Sequence, residues 1–484
     1  MSDHLVTLGF EPGKGHPSVF HHEERGISVL VHGGDYFSSA HREQLDWLER
    51  SLGEKYEIQT QRIGNGEGRD QEGKILNRVV RWTPAGYEIE ADPRHAELVV
   101  KQLGVDAMKP LSTPGVEGKE EEDLEEDQAL AGAEATQYRA IAARLNYLSA
   151  DRPDLQYAAK EACRDMSTPT DGSWRRLIRI ARYLIGSPRL VWKYDMQDEV
   201  DVAEAFSDAN WAGCRQSRKS TSGGVLKIGQ HPIKAYSKTQ ATIAKSSAES
   251  ELFGIVRATC EALGFLALAN DFGKDMTSCL HMDANAAQGI IDRHGLSKVR
   301  HLDVNMLWLQ EQLIRDKVPL IKIPGPYNCA DLMTKHVPAD LIKRHTGNIG
   351  LEFRDGRTEK AAKLQSVARL TRQSEASDRM LSACERYDQE KRQDKWSSRG
   401  AEGEWTRMHS TPRRSLFTPC RVARGPAHPD KLESTRVTVG INSKGEKFEV
   451  RDNWREPGNA HRVLSHPWTG YTKFKIRRVQ WADE

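Results

Sequence analysis

The stretch EAFSDANWAGCRQSRKSTSGG (residues 204–224) decides how the chain is read. Small and apolar residues alternate with polar ones up to Asp208, and a basic, serine-rich turn ending on Gly223 and Gly224 follows. Alternation is the period of a half-buried strand, and the Ser/Gly run after it marks a turn. Asp208 then stands at a strand end, where an aspartate is ordinarily a turn residue. The same place suits one ligand of a metal site whose other ligands lie far along the chain.

The sequence around this stretch has a regular order. VAEAFSD (202–208), GGVLKIG (223–229) and PIKAYSK (232–238) are strand-like and closely spaced, which predicts an antiparallel meander. SSAESELFGIVRATCEALGFLALANDFG (246–273) predicts a long helix with Leu252, Ile255, Thr259, Leu263 and Leu266 inward. CLHMDA (279–284) reads as a strand and NAAQGII (285–291) as a short helix. RHLDVNMLWLQEQLIRDK (300–317) aligns Leu302, Met306, Leu309 and Leu313 on a further helix, and VPLIKIPG (318–325) closes as a strand. The order βββαβαβ implies an α/β fold, a mixed five-stranded sheet with flanking helices.

Four acidic residues of this block stand where elements begin or end: Asp208, Glu249, Asp283 and Asp331. Each has an ordinary role open to it. Asp208 fits a turn, Ser246-x-x-Glu249 a capping box, Asp283 a cap for NAAQG and Asp331 a cap for LMTK. Together they read differently. If the first and fourth strands are parallel neighbours, their terminal aspartates lie side by side and the long helix brings its first turn beside them. Carboxylates so gathered repel one another unless a cation sits between them. Hard oxygen ligands suit Mg²⁺ or Mn²⁺, and two such ions about 4 Å apart can split a phosphodiester. One activates a water; the other stabilises the departing 3′ oxygen.

On FSDANWAG, RKSTSGG, KSSAESEL, MDANAA, RHLDV and NCADLMTK, in that order over residues 204–336, the block resembles the ribonuclease H domain that ends the Pol polyprotein of copia-like retrotransposons. The resemblance implies a ribonuclease H-like fold, two bound Mg²⁺ or Mn²⁺ ions and hydrolysis of the RNA strand of RNA–DNA hybrids. It maps the catalytic and metal-binding carboxylates onto Asp208, Glu249, Asp283 and Asp331. In AESE the helix-start position and the family motif favour Glu249 over Glu251. Lys219, Lys238 and Lys245, in turns flanking the meander, are candidate phosphate contacts. His301 and Asp303 match a further family motif and read as a structural pair.

The front of the chain resembles the end of the same family's reverse transcriptase. LVTLGFEPGKGHPSVF, YRAIAARLNYLSADRPDLQYA and WRRLIRIARYLIGSP carry that likeness. The family's catalytic hairpin has an aromatic residue, a variable one and two Asp; here the place reads His32, Gly33, Gly34, Asp35. The earlier palm Asp has no counterpart upstream. One carboxylate cannot hold two metals, so DNA polymerisation is not expected, and Asp35 reads as a turn residue.

The expected organisation is a truncated palm remnant at 1–115, an acidic linker at 116–134, a helical thumb or connection region at 135–198 and the ribonuclease H-like domain at 199–340. A disordered basic tail at 341–412 and a small β module at 413–484 would follow, the latter built from STRVTVG, KFEVRD and TKFKIRR around Trp454, Trp468 and Phe474. In the helical region Pro153 restarts a helix, Asp171 or Ser173 caps the next, and Gly186 stops it. Trp174 and Tyr183 read as core residues.

The net charge of +2 hides segregation: EGKEEEDLEED is acidic, whereas WRRLIRIARYLIG and KFKIRR are basic. Balance therefore does not exclude a nucleic-acid partner. The alternative to an enzyme is a non-cutting remnant in which Arg175, Arg176, Arg179 and Arg182 track phosphates by charge. Seven cysteines without a C-x-x-C pair argue against zinc ribbons, zinc knuckles and a secreted disulfide framework. The expected setting is intracellular, cytoplasmic or nuclear, with an RNA–DNA hybrid and other Pol parts as partners. No apolar run approaches the roughly 18–20 residues of a membrane span, so no membrane is expected.

Overall fold

The structure, a computed structural model, describes residues 2–117, 127–291, 303–314, 318–358, 361, 437–441, 447–451 and 471–479. The first elements are α1 (Ser2–Thr7), β1 (Glu11–Pro12), β2 (Val19–His22), β3 (Ile27–His32), β4 (Asp35–Ser39), α2 (Arg42–Gly53) and β5 (Tyr56–Ile63). β3 and β4 form the hairpin expected at the Gly-Gly turn, with His32 opposite Asp35 and Gly33 at φ 62°. Leu45, Leu48 and Leu52 of α2 pack with Phe20, Ile27, Val29 and Tyr36 in one core.

Next come β6 (Glu72–Ile75), β7 (Arg78–Thr83), β8 (Gly86–Ala91) and α3 (Arg94–Leu103), then the helices α4 (Gly132–Ser149), α5 (Pro153–Arg164) and α6 (Asp171–Gly186). The helices and α3 share a core that includes Tyr138, Leu145, Trp174, Leu177 and Tyr183. α6 starts one residue earlier than expected of its cap. Thr170, not Asp171 or Ser173, is the N-cap, and Ser173 closes the reciprocal capping box. The acidic run at 118–126 lies outside the described residues.

RLVWKYD, placed in the helical region by sequence, is instead the strand β9 (Arg189–Asp195), paired with β8. A short apolar run, Leu190 to Trp192, β-branched and aromatic residues among it, reads as a strand once Pro188 has ended the helix. From Asp201 onward lie β10 (Val202–Asn210), β11 (Thr221–Ile228), β12 (His231–Thr239), α7 (Ser247–Asp271), β13 (Thr277–Met282), α8 (Asn285–Ile291), α9 (Asp303–Ile314) and β14 (Leu320–Lys322). Their sheet runs β12-β11-β10-β13-β14, antiparallel across the meander and parallel from β10 to β14. This is the mixed five-stranded sheet of the ribonuclease H-like class.

α7 covers one face of that sheet with Leu252, Ile255, Ala258 and Ala262, all buried against Ala203, Ala205 and Leu280. At 25 residues and a window hydropathy of 1.6, it is long and apolar enough to cross a membrane, contrary to the reading that no run approached that length. Here its apolar stripe is spent on the sheet. α5 docks on the meander edge: Gln156 donates to Ala235 O at 2.9 Å, and Lys160 to Thr221 Oγ1 at 2.6 Å.

Order continues past residue 340, where a disordered tail was expected. α10 (Ala339–Ile349) is followed by β15 (Leu351–Arg354), which pairs with β9 and extends the sheet β15-β9-β8-β7-β6. Arg354 pairs with Glu88 at 2.6 Å, and Arg189 pairs with Glu90 at 2.8 Å. A polar composition masked this docking because the buried partners, Glu88 and Glu90, are themselves charged. The rest of the expected tail, and Trp454 and Trp468, lie outside the described residues. β16 (Val437–Ile441) and β17 (Lys447–Arg451) pair antiparallel as a hairpin. The third expected strand does not join a small β module: β18 (Tyr471–Val479), which carries Phe474, inserts antiparallel between β4 and β5.

Candidate metal centre

Parallel pairing of β10 and β13, with Phe206 opposite His281, makes the two strands end side by side. Asp208 lies near the end of the first and is 6% exposed; Asp283 follows the second directly. Asp331 arrives on a 3-10 turn, Cys329–Met333, where an α-helical cap had been expected. Asn328 caps that turn and also donates to Ser207 O at 2.9 Å, pinning it to β10 beside Asp208. Gly223 leaves room for it: a Cβ there would lie 2.6 Å from Met333 Cβ and 3.0 Å from Ala330 O. Asp208, Asp283 and Asp331 each offer an oxygen, and the three oxygens lie within 4.8 Å of one another.

Of the two glutamates in AESE, Glu251 rather than the expected Glu249 lies within reach of the charges of Asp208 and Asp283. Glu249 stays in the cap: Ser246 Oγ accepts from its N–H, and its Oε2 accepts from Lys245 N at 2.8 Å. Residues two apart on an α-helix differ by about 200° in direction, so Glu249 and Glu251 point to opposite sides. Glu251 is in line with Ile255, Ala258 and Ala262, the stripe that faces the sheet. Its carboxyl takes a backbone hydrogen bond from Ala209 and is pushed up to about 9 by burial and by the charges of Asp208 and Asp283. The signal was present in the helical period of the buried stripe.

The electrostatics are those of crowded acids. Burial, then the charge of Asp208, raises Asp331 to about 7 and lifts Asp283 as well. Lys335 Nζ stands 2.9 Å from Asp331 Oδ1, yet that buried oxygen accepts no well-directed hydrogen bond. Thr334 donates its hydroxyl to Asp208 Oδ2. An all-oxygen donor set whose carboxylates repel one another fits a hard divalent cation such as Mg²⁺ or Mn²⁺.

Lys238 and Lys245 are exposed, and Lys219 is half-buried. Lys238 is opposite Ser222 in the meander, at the same end of the sheet as Asp208. The α6 arginines serve the fold. Arg176 pairs with Asp165, Arg179 donates to Thr113 Oγ1 at 2.9 Å, and Arg182 donates to Lys109 O at 2.9 Å. Arg175 is half-buried on the same helix. His301 lies outside the described residues, and Asp303 opens α9.

No protein-family model matches the chain. It is similar to the retrovirus-related Pol polyprotein from transposon RE2 of Arabidopsis thaliana, 27% identical over 219 residues, which are 45% of this chain and 15% of that protein. The chain thus spans a small part of such relatives. It is also similar to an uncharacterised mitochondrial protein of Arabidopsis thaliana, 29% identical over 37% of this chain and 71% of that one. A secreted RxLR effector protein of Plasmopara viticola is 33% identical over 26% of this chain and 87% of its own length. Among solved structures, ribonuclease H1 of Halobacterium salinarum is 19% identical, with 28% of this chain and 94% of that chain covered and a TM-score of 0.22. The curated relatives of the chain thus include retrovirus-related Pol polyproteins of transposons, each matched over a small part of its length.

Proposed function

We propose that the block from β10 to Lys335 is a metal-dependent nuclease that hydrolyses the RNA strand of an RNA–DNA hybrid. The observation that carries this reading is the meeting of Asp208, Asp283 and Asp331, drawn from three distant stretches, within 4.8 Å. Glu251 is the fourth carboxylate in this reading, and Glu249 a helix cap. The choice of a hybrid as substrate rests on the likeness to copia-type Pol proteins. When bound, two Mg²⁺ or Mn²⁺ ions would supply an activated water and a clamp on the departing 3′ oxygen.

The chain's own residues hold and orient. Asp208, Asp283 and Asp331 would hold the ions, Glu251 would close the cluster from the helix, and Thr334, which donates to Asp208 Oδ2, would set the rotamer of Asp208. Lys219, Lys238 and Lys245 would meet phosphates in this reading, Lys238 being at the same end of the sheet as Asp208. The front hairpin offers Asp35 next to Gly34, one carboxylate where two are needed, so no polymerase activity is assigned to it.

The test is cleavage of an RNA–DNA hybrid in Mg²⁺ by the chain and by Asp208→Asn, with hybrid binding measured in parallel. The native chain is expected to cut, and the variant to bind without cutting. Binding by both with cutting by neither would leave a nucleic-acid-binding remnant. That rival is weakened by the engagement of Arg176, Arg179 and Arg182 within the fold.

A further inference from the structure

Lys335 is four residues after Asp331, and its backbone N–H returns to Asp331 O at 3.3 Å. That turn of chain aims its ammonium back at the carboxylates. Nζ reaches 2.9 Å from Asp331 Oδ1, while 37% of the side chain remains exposed. Asp208, Glu251, Asp283 and Asp331 would carry four negative charges if ionised, and among the described residues Lys335 is the cation paired into that group.

We propose that Lys335 is the resident counter-ion of the carboxylate cluster, holding Asp331 in the ion-free chain and competing with a divalent ion for its Oδ1. The inference rests on the reading that this cluster binds divalent ions. It gives the turn Cys329–Met333 a way to stay docked beside Asp208 before any ion arrives. A lone ammonium with part of its stem in solvent can swing away at small cost, as a second buried carboxylate partner could not. Removing a competing positive charge tightens cation binding, whereas removing a mere structural support loosens it, so the sign of the change separates the two.

The experiment is calorimetric titration of the full chain with Mn²⁺ alone, together with thermal unfolding in EDTA and in Mn²⁺. The chains compared are the native one, Lys335→Met, Lys335→Gln, Lys335→Arg and Asp208→Asn. Both neutral variants are expected to bind Mn²⁺ on the order of tenfold more tightly and to melt lower than the native chain in EDTA only. Lys335→Arg should stay close to native in both. Equal or weaker Mn²⁺ binding by the neutral variants overturns the counter-ion role and leaves the metal centre intact. Absence of Mn²⁺ binding in the native chain, matched by Asp208→Asn, overturns the metal reading itself and this inference with it.

Discussion

Thr334 donates its hydroxyl to Asp208 Oδ2 across 126 positions of sequence. The bond joins the strand that opens the sheet to the stretch that carries Asp331, and so couples the placement of two of the clustered carboxylates. Thr334→Val keeps the shape of the side chain and removes the donor. The expected result is a loss of about 10- to 100-fold in divalent-ion affinity or hybrid cleavage, the range found when a partner of a metal ligand is removed. Thr334→Ser should restore most of it. Ion titration and initial cleavage rates measure both.

The two glutamates of AESE should separate cleanly. Glu251→Gln leaves a neutral group against Asp208 and Asp283, and cleavage is expected to fall to background while the fold persists. Glu249→Gln weakens the contact to Lys245 N and costs about 1 kcal/mol of helix stability, with cleavage largely kept. Melting temperature and cleavage rate, read on the same preparations, check the pair. The reverse pattern would return the ligand role to Glu249.

Sequence alone carried the ribonuclease H-like sheet because its strands are short, apolar segments bounded by turn residues, and their order admits few topologies. The three aspartates were legible for the same reason: each follows an element whose end is marked. Glu251 was misread because Ser246-x-x-Glu249 is also a strong capping pattern, and position in a motif was preferred to the direction of the buried stripe. β9 and β15 were beyond local reading, and β18 reads locally as a strand but its place in a sheet was not legible. Their partners, β8 and β9 for the first two and β4 and β5 for the last, are set by long-range pairing that no window of sequence contains. Lys335 was overlooked because a lysine after a short turn looks like any solvated surface charge.

Gly223 and Gly224 of RKSTSGG have separate jobs. The first admits the turn of Asp331, and the second admits Tyr236, whose ring would lie 2.4 Å from an added Cβ. Gly223→Ala must displace Met333, Thr334 or the backbone at Ala330. Overpacking of this kind costs about 1–3 kcal/mol. It should also move Asp331 away from Asp208, so cleavage and ion affinity are expected to fall further than stability does. Gly224→Ala should lower stability comparably with a smaller effect on ion affinity. Denaturant melts with ion titrations on both variants decide this.

The raised carboxyls fix how the ion-free chain responds to pH. Asp331 sits at about 7 and Glu251 at about 9, both above the value of about 4 expected in the unfolded chain. Between those limits the folded chain binds more protons than the unfolded one, so stability falls as pH rises from about 4 and levels off above about 9. Bound divalent ions reverse this, because they favour the ionised carboxylates and expel the protons. The gap between melting temperatures in Mg²⁺ and in EDTA should therefore widen from pH 5 to pH 9, and Mg²⁺ binding near pH 6.5 should release protons into the buffer. Titrations in two buffers of different ionisation heat count those protons. A gap that stays constant with pH would mean that the carboxylates do not share a bound cation.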